Sequence, residues 1–356
     1  MRRIYLIRHA RPDFPLGEKY CLGRTDIPLG TVGKMQAFLL SGELAEIKFS
    51  GVYSSTLKRA GETAAALSSN YTADERFCEL DCGEWDGLNF REIRARWPEL
   101  YEKRGTKTEV QMPGSESFSS GLERMSAGIG EILSKTSGNI AIVAHGGINS
   151  IFAGSVSGVE LSEHRSLKTG YCGYYIIDYD GGFHLAGTVK DIHPELNEAA
   201  CLELLRIAGC PDRVIKHCVA VKDKAEELYS ELKKAGLELD GRLINNAALL
   251  HDIMRTEKNH AAAGADILNE LGYRDIADII RVHHSFSGDE INEAAVVFIA
   301  DKLVKDEKAV SLEERFRLSA EKCTDDAGRQ MHNMRFKSAV SVKNMINTVC
   351  RREIIS

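Results

Sequence analysis

Residues 2–11 read RRIYLIRHAR. Four apolar residues, Ile4 to Ile7, stand between basic ones, and the run stops abruptly at Arg8, His9 and Arg11. A short apolar run of this kind, bounded by charge, predicts a strand buried on both faces, as in a mostly parallel sheet. The basic residues at its end are either a solvated loop or the place where a phosphate sits.

Working outward, GVYSS (51–55), NIAIVAHGG (139–147) and YYIIDYD (174–180) are further β-rich runs closed by Gly, Ser or charge. Between them, apolar residues recur at three and four over Thr31–Ile47, Leu57–Ser68 and Ser115–Lys135, which predicts helices. Strands alternating with helices imply an α/β domain of three layers around a mostly parallel sheet. Ligands of such sheets bind outside the carboxyl ends of the strands.

After about residue 190 the rhythm changes. VIKHCVAVKDKAEELYSELKKAG (214–236), RLINNAALLHDIM (242–254) and EAAVVFIADKLV (293–304) read as amphipathic or buried helices, with no convincing strand from Leu196 onward. The second half is therefore expected to be all-α. DYDGGFHLAGTVKDIHPELN (178–197) carries the Gly, Asp and Pro of a linker, so the domains are placed at 1–192 and 193–356.

Composition bounds the function. A chain of 356 residues exceeds one ordinary core, and 43% apolar with 28% charged residues is globular. A formal net charge of -6 argues against coating nucleic acid and leaves small anions as substrates. The first residues carry too short an apolar run for a signal peptide, and no run nears the roughly 20 apolar residues of a membrane helix. Nine cysteines without a CxxC pair suit reduced thiols, and the expected location is cytoplasmic. The near pair Cys78 and Cys82 reads as packing.

Three predicted strand ends bring Arg8 with His9, Arg59 and His145 to one sheet edge. Guanidinium groups grip phosphate oxygens bidentately, and a neutral imidazole can attack phosphorus. Transfer also needs a proton for the departing alkoxide. Glu79, in the apolar, Gly-rich CELDCGEWDG (78–87), is the first candidate, with Glu84 and Asp86 as competitors.

LIRHAR, GRTDIPL (23–29), SSTLKRAGETA (54–64), CELDCGEWDG, PGSESF (113–118) and VAHGG (143–147) together resemble the histidine phosphatase superfamily, in its phosphoglycerate-mutase-like branch, across residues 1 to 190. The resemblance implies His9 as nucleophile, Arg8, Arg59 and His145 as the phosphate clamp, Glu79 as proton donor, and no metal. Ala10 stands where the family usually has Gly, and Arg11 with Pro12 follows. Arg11 is read as solvated in preference to touching the substrate's far side. The chain lacks the long insertions of glycolytic mutases and looks more like the small-molecule phosphatases, including the α-ribazole phosphatase type. Specificity lives in loops such as Arg91 to Met112.

The second half carries His217, His251-Asp252, His260, His283-His284 and Asp301 over four or five predicted helices. ALLHDIM and VVFIADKL place acids inside apolar helices, and a buried carboxylate needs a partner such as a metal. Imidazole with carboxylate suits Fe, Mn, Zn, Co or Ni better than Ca.

This H…HD…H…HH…D pattern resembles the HD superfamily of metal-dependent phosphohydrolases. That resemblance implies His217, His251, Asp252 and Asp301 around one metal and His260, His283 and His284 at a second. HDIMR (251–255) replaces the usual HDIGK, and SFSGDEIN (285–292) follows His284 where cyclic-di-GMP phosphodiesterases carry GYP. A closing helix, MHNMRFKSAVSVKNMINTVCRRE (331–353), is expected to turn Met and Val inward, with His332 on the surface.

The expectation is a bifunctional phosphohydrolase acting on small phosphorylated metabolites or nucleotides. Its first half works through a phosphohistidine, and its second cleaves a phosphodiester or nucleotide with two divalent metals. The alternative makes the HD half a metal- or nucleotide-binding module that regulates the phosphatase.

Overall fold

The computed structural model describes residues 1–14, 18–104, 111–321 and 323–355. The chain divides into two compact units, Met1–Pro194 and Glu195–Ser356.

The first unit runs β1 (Arg2–Arg8), α1 (Thr31–Glu43), β2 (Phe49–Ser54), α2 (Lys58–Leu67), β3 (Thr72–Ala73), α3 (Phe90–Arg96), α4 (Pro98–Lys103), α5 (Phe118–Lys135), β4 (Asn139–Ala144), α6 (Gly146–Val156), β5 (Tyr174–Tyr179) and β6 (Phe183–Val189). Its six-stranded sheet has the order β3-β2-β4-β1-β5-β6. Strands β1, β2, β3 and β4 pair in parallel, while β5 and β6 join antiparallel. Ile4 and Leu6 of β1 enter one core with Ile140 and Ile142 of β4, Met125 and Ile129 of α5, and Ile148 and Phe152 of α6. Tyr5 points the other way, against Phe49 and Tyr174, which is why the β1 run reads as continuously apolar.

Strand β6 corrects the linker reading of residues 183–189. Its residues alternate half-buried and exposed, the pattern of an edge strand, and the glycines before it supply the turn. Residues 105–110 of the Arg91–Met112 stretch lie outside the described residues, and α3 and α4 occupy part of the remainder.

The second unit is helical: α7 (Glu198–Ile207), α8 (Asp212–Lys234), α9 (Gly241–Leu250), α10 (His260–Glu270), α11 (Arg274–Val282), α12 (Glu293–Lys302), α13 (Leu312–Ala320) and α14 (Asp326–Cys350). A two-residue hairpin pair, β7 (Val304–Lys305) and β8 (Lys308–Ala309), interrupts it. Helix α12 is buried from Ala295 to Lys302, matching its unbroken apolar sequence. The expectation for the closing helix fails at its start: Met331 and Met334 are 46% and 59% exposed, and only Ala339, Val342 and Ile346 of α14 are buried.

Candidate functional site

Strand register assembles the first site. Arg8 of β1 is the register partner of Ala144 of β4, so the next residues, His9 and His145, emerge side by side. The His9 amide donates to the Ala144 carbonyl at 3.0 Å, and the two imidazoles stand 4.9 Å apart between ring centres. His9 Nδ1 donates to the Ala10 carbonyl at 2.6 Å, which fixes the tautomer and leaves the Nε2 lone pair free to react. Burial, then the charges of Arg59 and Arg8, hold His9 neutral well below the usual histidine range. Burial and Arg59 do the same to His145.

Backbone groups hold the charged side chains. Arg59, in the first turn of α2, is fully buried and donates to the carbonyls of Thr25 and Gly23 at 2.7 and 2.8 Å. That loop is in turn held by Asp86, whose carboxylate accepts the N–H groups of Gly23, Arg24 and Thr25, each at 2.8 Å. Arg8 donates to the Thr169 carbonyl at 2.7 Å and lies 4.2 Å over the Tyr171 ring. Arg8 Nε, Arg59 Nε and both ring nitrogens of His145 are buried without a hydrogen-bond partner.

Glu79 sits at the start of α6, accepting from the N–H groups of Gly147 at 2.8 Å and Ile148 at 2.9 Å. The glycines of VAHGG make this approach possible. A Cβ on Gly147 would come within 2.7 Å of Glu79 Oε1, and one on Gly146 within 3.1 Å of Arg8 Nε. Of the two competitors, Glu84 is exposed and Asp86 is occupied in holding the 23–25 loop.

Arg11 departs from the solvated reading. It is 4% exposed, its guanidinium donates to the Phe14 carbonyl at 2.8 Å, and it lies 4.3 Å over the Phe14 ring. Two residues of this neighbourhood escaped the sequence reading. Lys168 is exposed as a residue, yet the protein atoms crowded around its ammonium and the charge of Arg165 push it down to about 8, with Arg8 and Arg104 adding to the effect and Glu79 opposing it. Asn149, one turn into α6, is wholly buried with both amide atoms unpartnered. The SLKTGYCG stretch carries no periodicity that points to Lys168, whereas Asn149 follows VAHGG closely enough to have been considered.

In the second unit His217 projects from α8, His260 begins α10 and Asp301 lies in α12. The pairs His251-Asp252 and His283-His284 follow the ends of α9 and α11 rather than lying within them, so a C-terminal turn aims each pair. His251 Nδ1 donates to the Ala248 carbonyl at 2.7 Å, and His283 Nδ1 to the Ile280 carbonyl at 2.5 Å. Each imidazole therefore turns Nε2 inward, buried and without a hydrogen-bond partner.

Asp301 Oδ1 lies 3.2 Å from His217 Nε2 and 3.8 Å from His251 Nε2. Asp252 Oδ1 lies 3.1 Å from His260 Nε2 and 3.8 Å from His283 Nε2. Burial lowers His283 to about 3, helped by the His251 charge, so it offers a lone pair at neutral pH. Two groups have ligand atoms within 4.8 Å of one another: His217, His251 and Asp252, and His260, His283 and His284. Imidazoles with inward Nε2 atoms around two carboxylates fit divalent transition metals.

Arg255, the departure from HDIGK, stands 3.6 Å from Asp252 and 2.9 Å from His260 Nε2, so a cation remains beside the cluster. The cluster opens into a cavity of about 1090 Å³. His332, read as surface, lines that cavity and bonds Ser319 at 2.8 Å.

A sheet of this order with two histidines at adjacent parallel strand ends places the first unit among the α/β folds of phosphatases that use histidine. The model of the histidine phosphatase superfamily (branch 1) matches residues 4–191, and the chain belongs to that superfamily. The HD domain model matches residues 214–306.

The bifunctional protein Rv2228c of Mycobacterium tuberculosis is 34% identical over 149 residues, 40% of this chain and 41% of its own length. The match thus spans less than half of either protein. Putative phosphoserine phosphatase 2 of Hydrogenobacter thermophilus is 28% identical over 187 residues, covering 51% of this chain and 91% of that protein. The solved structure of YhfR from Bacillus stearothermophilus aligns with a TM-score of 0.50 at 25% identity, over 54% of this chain and 98% of that one. Among the described residues, no helix is long and apolar enough to cross a membrane.

Proposed function

We propose that the chain is a bifunctional, cytoplasmic phosphohydrolase: a phosphomonoesterase acting through a phosphohistidine in Met1–Pro194, and a metal-dependent phosphodiester or nucleotide hydrolase in Glu195–Ser356. The observation that carries the first activity is the set of buried, unpartnered nitrogens on Arg8, Arg59 and His145 beside a neutral His9. A phosphoryl dianion can accept from the two guanidinium nitrogens and from the one N–H of a neutral His145. His9 Nε2 attacks phosphorus, the bond to the ester oxygen breaks, and Glu79 supplies the proton to the departing alkoxide. Water then releases phosphate from His9, with Glu79 taking a proton back. The free state of all nine cysteines agrees with a reducing compartment.

A divalent metal pair bound in the second unit would supply Lewis acidity and an activated water. His217, His251, Asp252 and Asp301 would hold one ion and His260, His283 and His284 the other. Arg255 and Lys302 offer positive charge to a phosphate beside them. Because Arg255 keeps a cation at the cluster, the catalytic reading of this unit is preferred to the regulatory one. The substrates are small phosphorylated metabolites or nucleotides, in keeping with the phosphatase named among the relatives.

The test is hydrolysis of an aryl phosphate monoester and an aryl phosphodiester, with and without chelator, by wild type, His9→Ala and Asp252→Ala. Monoester hydrolysis that resists chelator and vanishes only in His9→Ala supports the first assignment. Diester hydrolysis lost on chelation and in Asp252→Ala supports the second. Monoesterase activity indifferent to His9, or diesterase activity indifferent to Asp252, refutes the corresponding half.

A further inference from the structure

The HD family match ends at residue 306, yet the cavity at the metal cluster does not. Its far wall is built by α13 and α14, which contribute Arg315, Phe316, Ser319, His332 and Arg335. Arg213, before the start of the match, adds a third guanidinium to the same lining. Among the described residues, no carboxylate lies within ion-pair distance of Arg213, Arg315 or Arg335. Of the acids in the lining, Asp325 turns Oδ1 to the start of α14, where it accepts the Gly328 N–H at 2.7 Å. Arg335 Nε is buried with no hydrogen-bond partner.

Guanidinium groups without a carboxylate partner that line one half-open cavity repel each other, and an oxyanion held by Arg315 and Arg335, with the exposed Arg213 at the edge, relieves that repulsion. The cations nearer the metal cluster, Lys302 at 2.5 Å from Asp301 and Arg255 beside Asp252, are the ones placed for the phosphate being cleaved. Arg315 and Arg335 remain for an anion that is not the one being cleaved.

We propose that α13 and α14 form a second anion subsite, in which Arg315 and Arg335, with Arg213 at its rim, bind a second phosphate group of the substrate. The inference rests on the reading of this unit as a phosphohydrolase and narrows its substrate class to compounds carrying two separate phosphates. The scissile phosphoester lies at the His/Asp cluster and the other phosphate at the α13–α14 wall. Phe316 and the exposed Met331, which share the lining, offer apolar contact to whatever joins the two.

The experiment measures binding of adenosine 3′,5′-bisphosphate and of adenosine 5′-monophosphate to the full chain by calorimetry, with bound metal quantified on each sample. The proteins are wild type, Arg315→Gln, Arg335→Met and the double variant; Arg335→Met keeps the packed stem of the side chain. All four proteins also carry His9→Ala, so that the first unit does not hydrolyse the probes, and its remaining contribution is the same in each. Wild type is expected to prefer the bisphosphate by about tenfold or more, and the double variant to lose that preference while keeping its metal and its monophosphate affinity.

Should the double variant misfold, the same loss must appear, in part, in each single variant. A wild type without the preference, or a preference indifferent to both arginines, overturns the subsite. A chain that holds no metal but still shows an arginine-dependent preference refutes the metal-dependent reading and leaves the subsite standing.

Discussion

In the first unit the charged groups are held by the main chain: Arg59 by the carbonyls of Gly23 and Thr25, Arg8 by that of Thr169, Glu79 by the N–H groups opening α6. In the second, the backbone fixes the far nitrogens of His217, His251 and His283, and the inward atoms face one another across 3 to 4 Å. The first arrangement holds its side chains in place through peptide groups and leaves Arg8 Nε, Arg59 Nε and the His145 ring nitrogens without a partner. The second brings lone pairs and carboxylates together at a cost that a cation offsets. Its histidines are legible as a set because ligands must be side chains, while half of the first site is peptide groups that any residue supplies.

This contrast predicts that small backbone changes damage the first unit most. Gly147→Ala pushes a methyl group against the Glu79 carboxylate, and aryl phosphate turnover is expected to fall about 100-fold with the thermal transition nearly unchanged. Turnover within twofold of wild type breaks the claim that α6 positions Glu79.

A weaker effect tests the layer behind Arg59. Asp86→Asn removes the charge that gathers three N–H groups of the 23–25 loop, and kcat/KM for the monoester is expected to fall about tenfold, with Glu84→Gln silent. Equal effects from the two substitutions would return Asp86 to the list of proton donors.

The smallest effect is on pH dependence. Lys168, lowered to about 8, is charged below that pH and neutral above it, so its attraction for a phosphate dianion is present at pH 7 and fades above pH 8. The alkaline fall of kcat/KM should move upward in Lys168→Arg. A fall at the same pH in that variant assigns it to another group.

The fold was legible where periodicity was strong. Ile4–Ile7 and Ile140–Ala144 are buried on both faces and could be read only as central strands, whereas β6, with half-buried and exposed residues at an edge, was hidden by the glycines before it. Arg8, His9 and His145 could be expected to meet because they follow adjacent strand ends, and the structure brings the two imidazoles to 4.9 Å between ring centres. Lys168 and Asn149 were missed because their placement comes from a loop and from the packing of α6, neither of which leaves a period in the chain. The outward Met331 and Met334 show the limit of the helical pattern: an apolar stripe names a face, but the space beside that face is set by neighbouring helices.

The bond from the His9 amide to the Ala144 carbonyl belongs at once to the sheet ladder and to the placement of the His9 imidazole beside His145. Solvent exchange at that single amide is therefore a gauge of how the two imidazoles are aligned that can be read with no substrate present. A distant substitution that loosens the β1–β4 seam would register there before any change in the protein's overall melting.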